Sequence, residues 1–353
     1  MVDFLVVGGG IIGLLITRKL AQAGVSVLLV DKQKLAQESS WAGGGILAPM
    51  YPWRYPDALN ELVDWNAENF KQLAGALIEE TGIDPEVRLG GVNMLDVSDD
   101  AAAMRWATQG VGANSGLYRR EVGDFLGSEP LLRGSESTHS VLTLPMVGNV
   151  RNPRLLKALI KSLRQQKNVQ ILEYCALKGF VRKGAHVTGI ETAQGPISAK
   201  ECIVAAGAWS GDLLKCLEVP VSVSPVKGQM LLIKAKPGLL ASVVLAQGCY
   251  LIPRQDGRIL VGSTIEHQGY DKTTTHEARD SLLNAAYRIA PSLKDYPVEK
   301  HWAGLRPSSP ESIPYIGRLE GFKGISVCAG HFRNGVVTAP RSVDILVNQL
   351  LGT

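Results

Sequence analysis

The sequence predicts an α/β protein: a Rossmann-like nucleotide-binding domain on a parallel sheet, into which a domain with an antiparallel sheet is inserted. Three features carry this expectation. The apolar run Phe4-Leu5-Val6-Val7 enters Gly8-Gly9-Gly10-Ile11-Ile12-Gly13, a G-x-G-x-x-G loop. A helical stretch at 11–23, a stop at Gly24 and a second apolar strand at 25–30 complete a βαβ unit. Between 221 and 302 the pattern changes to alternating strands, the mark of an antiparallel sheet.

In the βαβ unit Gly8 permits the tight turn out of the strand, Gly10 lets the backbone approach a pyrophosphate, and Gly13 allows close helix packing. The free N–H groups and dipole of the helix attract phosphates. Asp31, at the end of the second strand, can accept hydrogen bonds from an adenosine ribose, which a 2′-phosphate would repel. The implied ligand is FAD or NAD, with NADP disfavoured. A helix at about 59–81 then runs to the turn Gly82-Ile83-Asp84-Pro85, and short strands and turns fill 87–147. Asn152-Pro153-Arg154 opens a helix reaching about Lys167, followed by the strand Val169-Gln170-Ile171-Leu172 and a β-meander at 177–197. The strand from Cys202 ends in Ala205-Ala206-Gly207-Ala208, small enough for a cofactor to touch the strand tip, although ordinary helix–sheet packing asks for the same residues.

Within 221–302 the strands include Met230-Leu231-Leu232-Ile233, Tyr250-Leu251-Ile252-Pro253 and Arg258-Ile259-Leu260-Val261-Gly262, with a helix at about 276–289. A last strand, Ile325-Ser326-Val327-Cys328-Ala329-Gly330, leads through a glycine turn to a helix at the C-terminus. The nucleotide-binding domain is therefore expected to be discontinuous, at 1–85, 148–220 and 303–353, with 86–147 and 221–302 forming the second domain.

With 45% apolar and 20% charged residues, the 353-residue chain can bury a core sufficient for about two domains. The net charge of +4, from 37 basic and 33 acidic residues, is scattered, and a dense basic stretch such as Arg119-Arg120 is cut short by acids. Such a surface is solvated and is not a nucleic-acid footprint. The chain enters a strand at once, without a basic leader or signal core. No apolar run approaches the roughly 18 residues of a membrane span, so a cytoplasmic protein without stable membrane insertion is expected. Cys175, Cys202, Cys216, Cys249 and Cys328 are odd in number, dispersed and without a C-x-x-C pair, which predicts buried thiols and neither disulfides nor zinc. The six histidines are equally dispersed, and no metal is expected.

Four segments stand in order along the chain. They are the glycine loop, Glu38-Ser39-Ser40-Trp41-Ala42-Gly43-Gly44-Gly45-Ile46-Leu47-Ala48-Pro49, Trp302-Ala303-Gly304-Leu305-Arg306-Pro307, and Gly330-His331-Phe332-Arg333-Asn334-Gly335-Val336. In this combination, spread over nearly the whole length, the sequence resembles the D-amino-acid oxidase family of flavoproteins, and within it the bacterial branch that oxidises glycine for thiamine synthesis. The resemblance implies that family's α+β arrangement and FAD as cofactor. It would set Ile11 and Ile12 against the pyrophosphate, Asp31 and Lys32 at the adenosine ribose, and Ser39 and Ser40 as hydroxyl donors to the phosphates. Gly44, Gly45 and Ile46 would run beside the isoalloxazine ring, and Leu177 would offer its backbone to the adenine. His331, Phe332, Arg333, Asn334, Gly335, Val336 and Val337 would wrap the pyrimidine end, with Gly335 opening a helix whose dipole steadies negative charge on the ring.

For the substrate the resemblance points to Arg306, Tyr250 and Arg333. The chemistry agrees: a guanidinium binds a planar carboxylate with two parallel hydrogen bonds, and a phenol can complete the grip. Arg333 could equally serve the flavin or a structural ion pair. Ile265 stands where the resembling pattern tends to carry methionine, which alters the pocket wall without adding a polar group. The aromatic segment Met50-Tyr51-Pro52-Trp53-Arg54-Tyr55-Pro56 could line an entrance or a subunit contact, or be a packed loop. The implied reaction is FAD-dependent oxidative deamination of glycine, with sarcosine and small D-amino acids, using oxygen and yielding hydrogen peroxide. No protein side chain is required as acid, base or nucleophile, because the flavin carries the chemistry. Pro307-Ser308-Ser309 offers no cysteine for covalent flavin, so FAD is expected to be non-covalent. A homo-oligomer is implied, with a tetramer as its suggested form. Two alternatives remain open here: a dehydrogenase of the same fold with a quinone or protein acceptor, and a non-catalytic flavin-fold subunit.

Overall fold

The computed structural model describes residues 1–132 and 138–353. The core of the first half is a sheet ordered Tyr315–Arg318, Ile325–Ala329, Gly195–Val204, Val2–Val7, Val27–Val30, Val169–Leu172. Its pairings are parallel except at the Tyr315–Arg318 edge. The meander Leu177–Lys183 and His186–Thr192 extends antiparallel from the strand Gly195–Val204. Helices Ile11–Gln22, Asn152–Arg164 and Ala339–Leu351 cover one face, where Leu14, Leu159 and Leu346 join Val6 and Leu29 in one apolar cluster. These strands carry near-continuous apolar runs because both of their faces are covered.

The second sheet is ordered Val298–Ser308, Ser224–Lys234, Arg258–Gly262, Cys249–Pro253, Val243–Ala246, Val92–Leu95, Val141–Leu144, Tyr118–Arg120. The expectation of an antiparallel sheet needs one correction: Val243–Ala246 and Val92–Leu95 pair in parallel. These strands come from two separate stretches of chain, so no hairpin turn fixes their relative direction. Helix His276–Ile289 buries Leu282, Leu283, Ala286 and Ile289 against Leu231, Ile233, Leu251 and Val261. Its first turn is closed by the Thr275 hydroxyl, which accepts from the Ala278 N–H at 3.2 Å. Val298–Ser308 pairs with Ser224–Lys234 along its length, running across the 302/303 boundary suggested by the sequence.

Four local expectations are also corrected. The stretch 87–147, expected as short strands and turns, also carries the helices Asp100–Trp106 and Val122–Ser128, each only seven residues and too short to show an apolar period. The helix expected at about 59–81 is two, Asp57–Asn60 and Glu68–Thr81. Asp64 interrupts it by accepting the N–H groups of Asn66 and Asn69, and Ala67 takes a left-handed φ of 51°. Gly335 does not open the C-terminal helix. It follows the turn Phe332–Asn334, and the helix begins at Ala339, where Pro340 in the first turn loses no intrahelical bond. Of the five cysteines, Cys216 is exposed and the other four are buried.

Candidate functional site

A long cleft runs from the glycine loop to Arg306 and is lined by residues of both sheets. At its first end Gly8 has a φ of +109°, and a Cβ there would lie 2.5 Å from the Ala205 carbonyl oxygen. The loop therefore turns against the small residues Ala205, Ala206 and Gly207, which line the cleft. Gly10 precedes helix Ile11–Gln22 and has no side chain to cap it; the Ser40 hydroxyl accepts the Ile11 N–H at 2.9 Å. The helix end is otherwise open to an anion. Ile11, Ile12, Ser39, Ser40 and Leu177 line the cleft, whereas Gly13 lies behind the loop, under the Gly8 carbonyl.

Asp31 faces the cleft and braces the loop. Its carboxylate accepts the Gly9 N–H at 2.7 Å and the Gln33 N–H at 3.0 Å, and burial raises its pKa against the pull of these bonds. The neighbouring Lys32 ammonium sits 3.2 Å over the ring of Trp209, and burial lowers its pKa. Trp209 is stacked in turn on Tyr270, at 5.4 Å between centroids. Tyr270 belongs to an irregular segment that leaves the second sheet after Gly262 and returns at Thr275. Its hydroxyl donates to Asp212 at 2.5 Å, and Lys272 donates to Glu38 at 3.0 Å. The segment is rooted in its own sheet by the buried Lys227, paired with Asp271 at 2.9 Å and Glu266 at 3.5 Å, and by Gln229, which donates to Glu266 at 2.9 Å.

Midway along the cleft Gly44, Gly45 and Ile46 present backbone to it. Two residues that sequence reasoning missed hold this loop. Arg254 is buried and donates to the Gly44 carbonyl at 2.8 Å, the Val150 carbonyl at 3.0 Å and Asn149 Oδ1 at 2.9 Å. Burial lowers its pKa to about 10, which leaves it charged. Asn152, which the sequence shows only as a helix start, donates to the Ser40 and Gly43 carbonyls at 2.7 and 3.1 Å. An arginine directly after the apolar strand Cys249–Pro253 was the available signal for Arg254. On the opposite wall His331, Phe332, Arg333, Asn334, Gly335 and Val336 line the cleft, while Val337 backs it from the core beside Tyr250 and Met230.

At the far end Arg306 donates to the Lys227 and Thr264 carbonyls at 3.3 and 3.1 Å and to the Ser263 hydroxyl at 2.7 Å. All three acceptors are neutral. Its guanidinium lies across Gly228, where a Cβ would come within 2.1 Å of Nη2. Burial lowers its pKa, with the Arg333 charge adding to the effect. Tyr250 is buried against Met230, its hydroxyl 3.6 Å from the sulfur, and faces the same end of the cleft. Arg333 reaches the Met50 sulfur at 3.5 Å and leaves its buried Nε without a partner. Ile265 does not line the cleft: it is 51% exposed and borders an adjoining cavity that shares Met50 and Arg333.

The residues present fit FAD. The buried polar atoms His331 Nε2, Arg333 Nε and Asn334 Nδ2 have no protein partner and belong to residues of the cleft wall, as a ring edge bearing nitrogen and oxygen would require. Among the described residues no group of three or more His, Cys, Asp or Glu could hold a metal ion, and no helix is long and apolar enough to cross a membrane. Residues 3–349 match the family described as DAO, FAD dependent oxidoreductase. The chain is 46% identical over 347 residues to the glycine oxidase of Pseudomonas putida, covering 98% of this chain and 94% of that one. It is 30% identical to the bifunctional protein ThiO/ThiG of Synechocystis, covering 99% of this chain but 51% of that protein. The crystal structure of glycine oxidase from Bacillus cereus superposes with a TM-score of 0.89 at 30% identity, over 100% of this chain and 95% of that one.

Proposed function

The chain belongs to the DAO family of FAD dependent oxidoreductases, and on that footing we propose that it oxidatively deaminates glycine, with sarcosine and small D-amino acids as secondary substrates. The observation that carries this reading is Arg306, a cleft guanidinium whose hydrogen-bond acceptors are all neutral oxygens. A permanent cation held partly desolvated without a counter-charge fits a site for an anion. The α-carboxylate would dock there with the Tyr250 phenol beside it. Glycine has no side chain to grip, so this anchoring supplies most of its orientation. Bound FAD supplies the two-electron acceptor for the substrate Cα–H, and oxygen regenerates it with release of hydrogen peroxide.

The same reading assigns cofactor binding to 1–85, 148–220 and 303–353, and substrate binding to 86–147 and 221–302. Gly8, Gly10, Ile11, Ile12, Ser39 and Ser40 would hold the pyrophosphate, with Gly13 packing the helix beneath them. Asp31, Lys32 and Leu177 would hold the adenosine. Gly44 to Ile46 and His331 to Val337 would enclose the ring. Attachment would be non-covalent: Cys328 lines the cleft, but burial pushes its thiol up to about 12, so the nucleophilic thiolate is scarce. The enzyme would work in the cytoplasm as a homo-oligomer and feed thiamine thiazole synthesis.

The test is anaerobic mixing of the yellow protein with a panel of small amines while flavin bleaching is followed, then a peroxide assay in air beside an artificial-acceptor assay. Bleaching by glycine with peroxide release is expected; reoxidation by the artificial acceptor alone would instead identify a dehydrogenase. Arg306→Ala should lower kcat/KM for glycine at least about 100-fold, since breaking a buried charge pair costs about 3–5 kcal/mol. Arg306→Lys should restore only part of this. Glycinamide, which lacks the carboxylate, should be affected far less. Equal losses on both substrates would show that Arg306 supports the fold or the flavin instead.

A further inference from the structure

Arg306 is aimed by groups that stay out of the cleft. Two of its acceptors, the Ser263 hydroxyl and the Thr264 carbonyl, stand at the start of the irregular segment that leaves the second sheet after Gly262, and the third is the Lys227 carbonyl. A short ladder ties that start to the strand Ser224–Lys234. Lys227 and Glu266 exchange N–H to carbonyl bonds, both at 2.9 Å, and the Thr264 N–H donates to the Gln229 carbonyl at 3.3 Å. The Thr264 hydroxyl accepts the Gln229 N–H at 2.8 Å. Side chains then lock the ladder from behind. The Glu266 carboxylate accepts from the Thr264 hydroxyl and from the Gln229 amide at 2.9 and 3.2 Å, and it pairs with Lys227 Nζ at 3.5 Å. The same ammonium pairs with Asp271 at 2.9 Å.

Lys227 is 1% exposed. A lysine is almost never buried so completely unless paired, and a buried ion pair adds little net stability over apolar residues of the same volume. Its side chain leaves the strand on the face opposite to Gly228, across which the Arg306 guanidinium lies, and neither Lys227 nor Glu266 lines the cleft. The ammonium therefore meets no bound substrate, and its route to one runs through Arg306. We propose that Lys227 is a positioning residue for the substrate carboxylate: with Glu266 it fixes the Lys227 and Thr264 carbonyls, and through them the plane in which the Arg306 fork meets its ligand. Two parallel bonds to a carboxylate form only when that plane is set, and a displacement of about 1 Å arising far from the chemistry can cost about 100-fold. The inference rests on the reading of Arg306 as the α-carboxylate site.

A double-mutant cycle on the holoenzyme tests it. The native protein, Lys227→Met, Arg306→Ala and the double variant are mixed anaerobically with glycine, and the rate of flavin bleaching per unit of glycine concentration is compared, a measure that stays readable in slow variants. Lys227→Met should lower this rate about tenfold or more in the native background. In the Arg306→Ala background it should lower it by less than about twofold, because the lysine acts through an arginine already removed. Should Lys227→Met lose its flavin, Glu266→Gln takes its place in the cycle, keeping the shape of the side chain while removing its charge, and the same pattern is expected. Additive losses, which a merely structural role would give, or no loss in the native background, would overturn the proposal and leave the Arg306 reading intact. A negligible effect of Arg306→Ala alone would bring down that reading, and the proposal with it.

Discussion

His331 is neutral because of where it sits. Its ring is 2% exposed, Nε2 has no partner, and burial holds its pKa at about 4 against an ordinary 6.5. Between those values the unfolded chain binds a proton that the folded chain refuses, so stability falls as pH drops from 6.5 towards 4 and is insensitive to this residue outside that window. The shift corresponds to about 3 kcal/mol at most, at about 1.4 kcal/mol per pKa unit. Urea denaturation at pH 7 and pH 4.5 should therefore show a larger acid loss for the native protein than for His331→Asn, by about 2–3 kcal/mol at a fixed FAD concentration. Equal losses would mean that the imidazole is protonated in place. At this scale the candidate site is legible where function writes a local motif, as at Arg306 in Trp302-Ala303-Gly304-Leu305-Arg306-Pro307. It is illegible at Arg254 and Asn152, most of whose partners are backbone carbonyls about 100 or more residues away, such as Gly44, for which a sequence pattern has no term.

The stretch from Gly43 to Ile46 is an element without regular structure of its own, held in shape from outside. Arg254 grips it from the second sheet and Asn152 from the first turn of a helix on the first. Arg254→Met keeps the stem and removes the three hydrogen bonds, leaving the Gly44 and Val150 carbonyls without their charged donor. One such bond is worth about 1.5–3 kcal/mol, so the FAD dissociation constant should rise at least about tenfold. Fluorescence titration of the apoprotein with FAD measures this, and an unchanged constant would show that the loop keeps its form unaided. Other elements show why legibility stops. The period of apolar residues placed the long helices but missed the short ones Asp100–Trp106 and Val122–Ser128, and it ran through the break at Asp64–Ala67, because a side chain that captures two backbone N–H groups does not alter that period. Alternation likewise revealed the strands of the second sheet, yet the parallel junction at Val92–Leu95 depends on which strand meets which.

On the scale of the whole molecule, two eight-stranded sheets share one cleft, and the chain passes repeatedly between them. The sequence announces this division through its change of period, but not the segment between Gly262 and Thr275 that reaches back across the cleft. Rooted by Lys227 and Gln229 in one sheet, it lands with Tyr270 on Trp209 and with Lys272 on Glu38, beside residues that line the nucleotide end. The polypeptide thereby closes a ring around the route by which a bound dinucleotide would depart. Loosening these contacts should therefore act on the residence time of the cofactor and on the docking of the two sheets together. The Lys272–Glu38 pair is partly exposed and adds at most about 1 kcal/mol, whereas a stacked aromatic pair adds about 0.5–1.5 kcal/mol and its hydroxyl bond a further share. Tyr270→Ala should accelerate FAD departure about tenfold with turnover at saturating FAD unaltered, and Tyr270→Phe, which keeps the stack, should fall between. Recovery of flavin fluorescence after dilution follows the departure directly; identical rates in all three proteins would mean that the ring is already open when the nucleotide leaves.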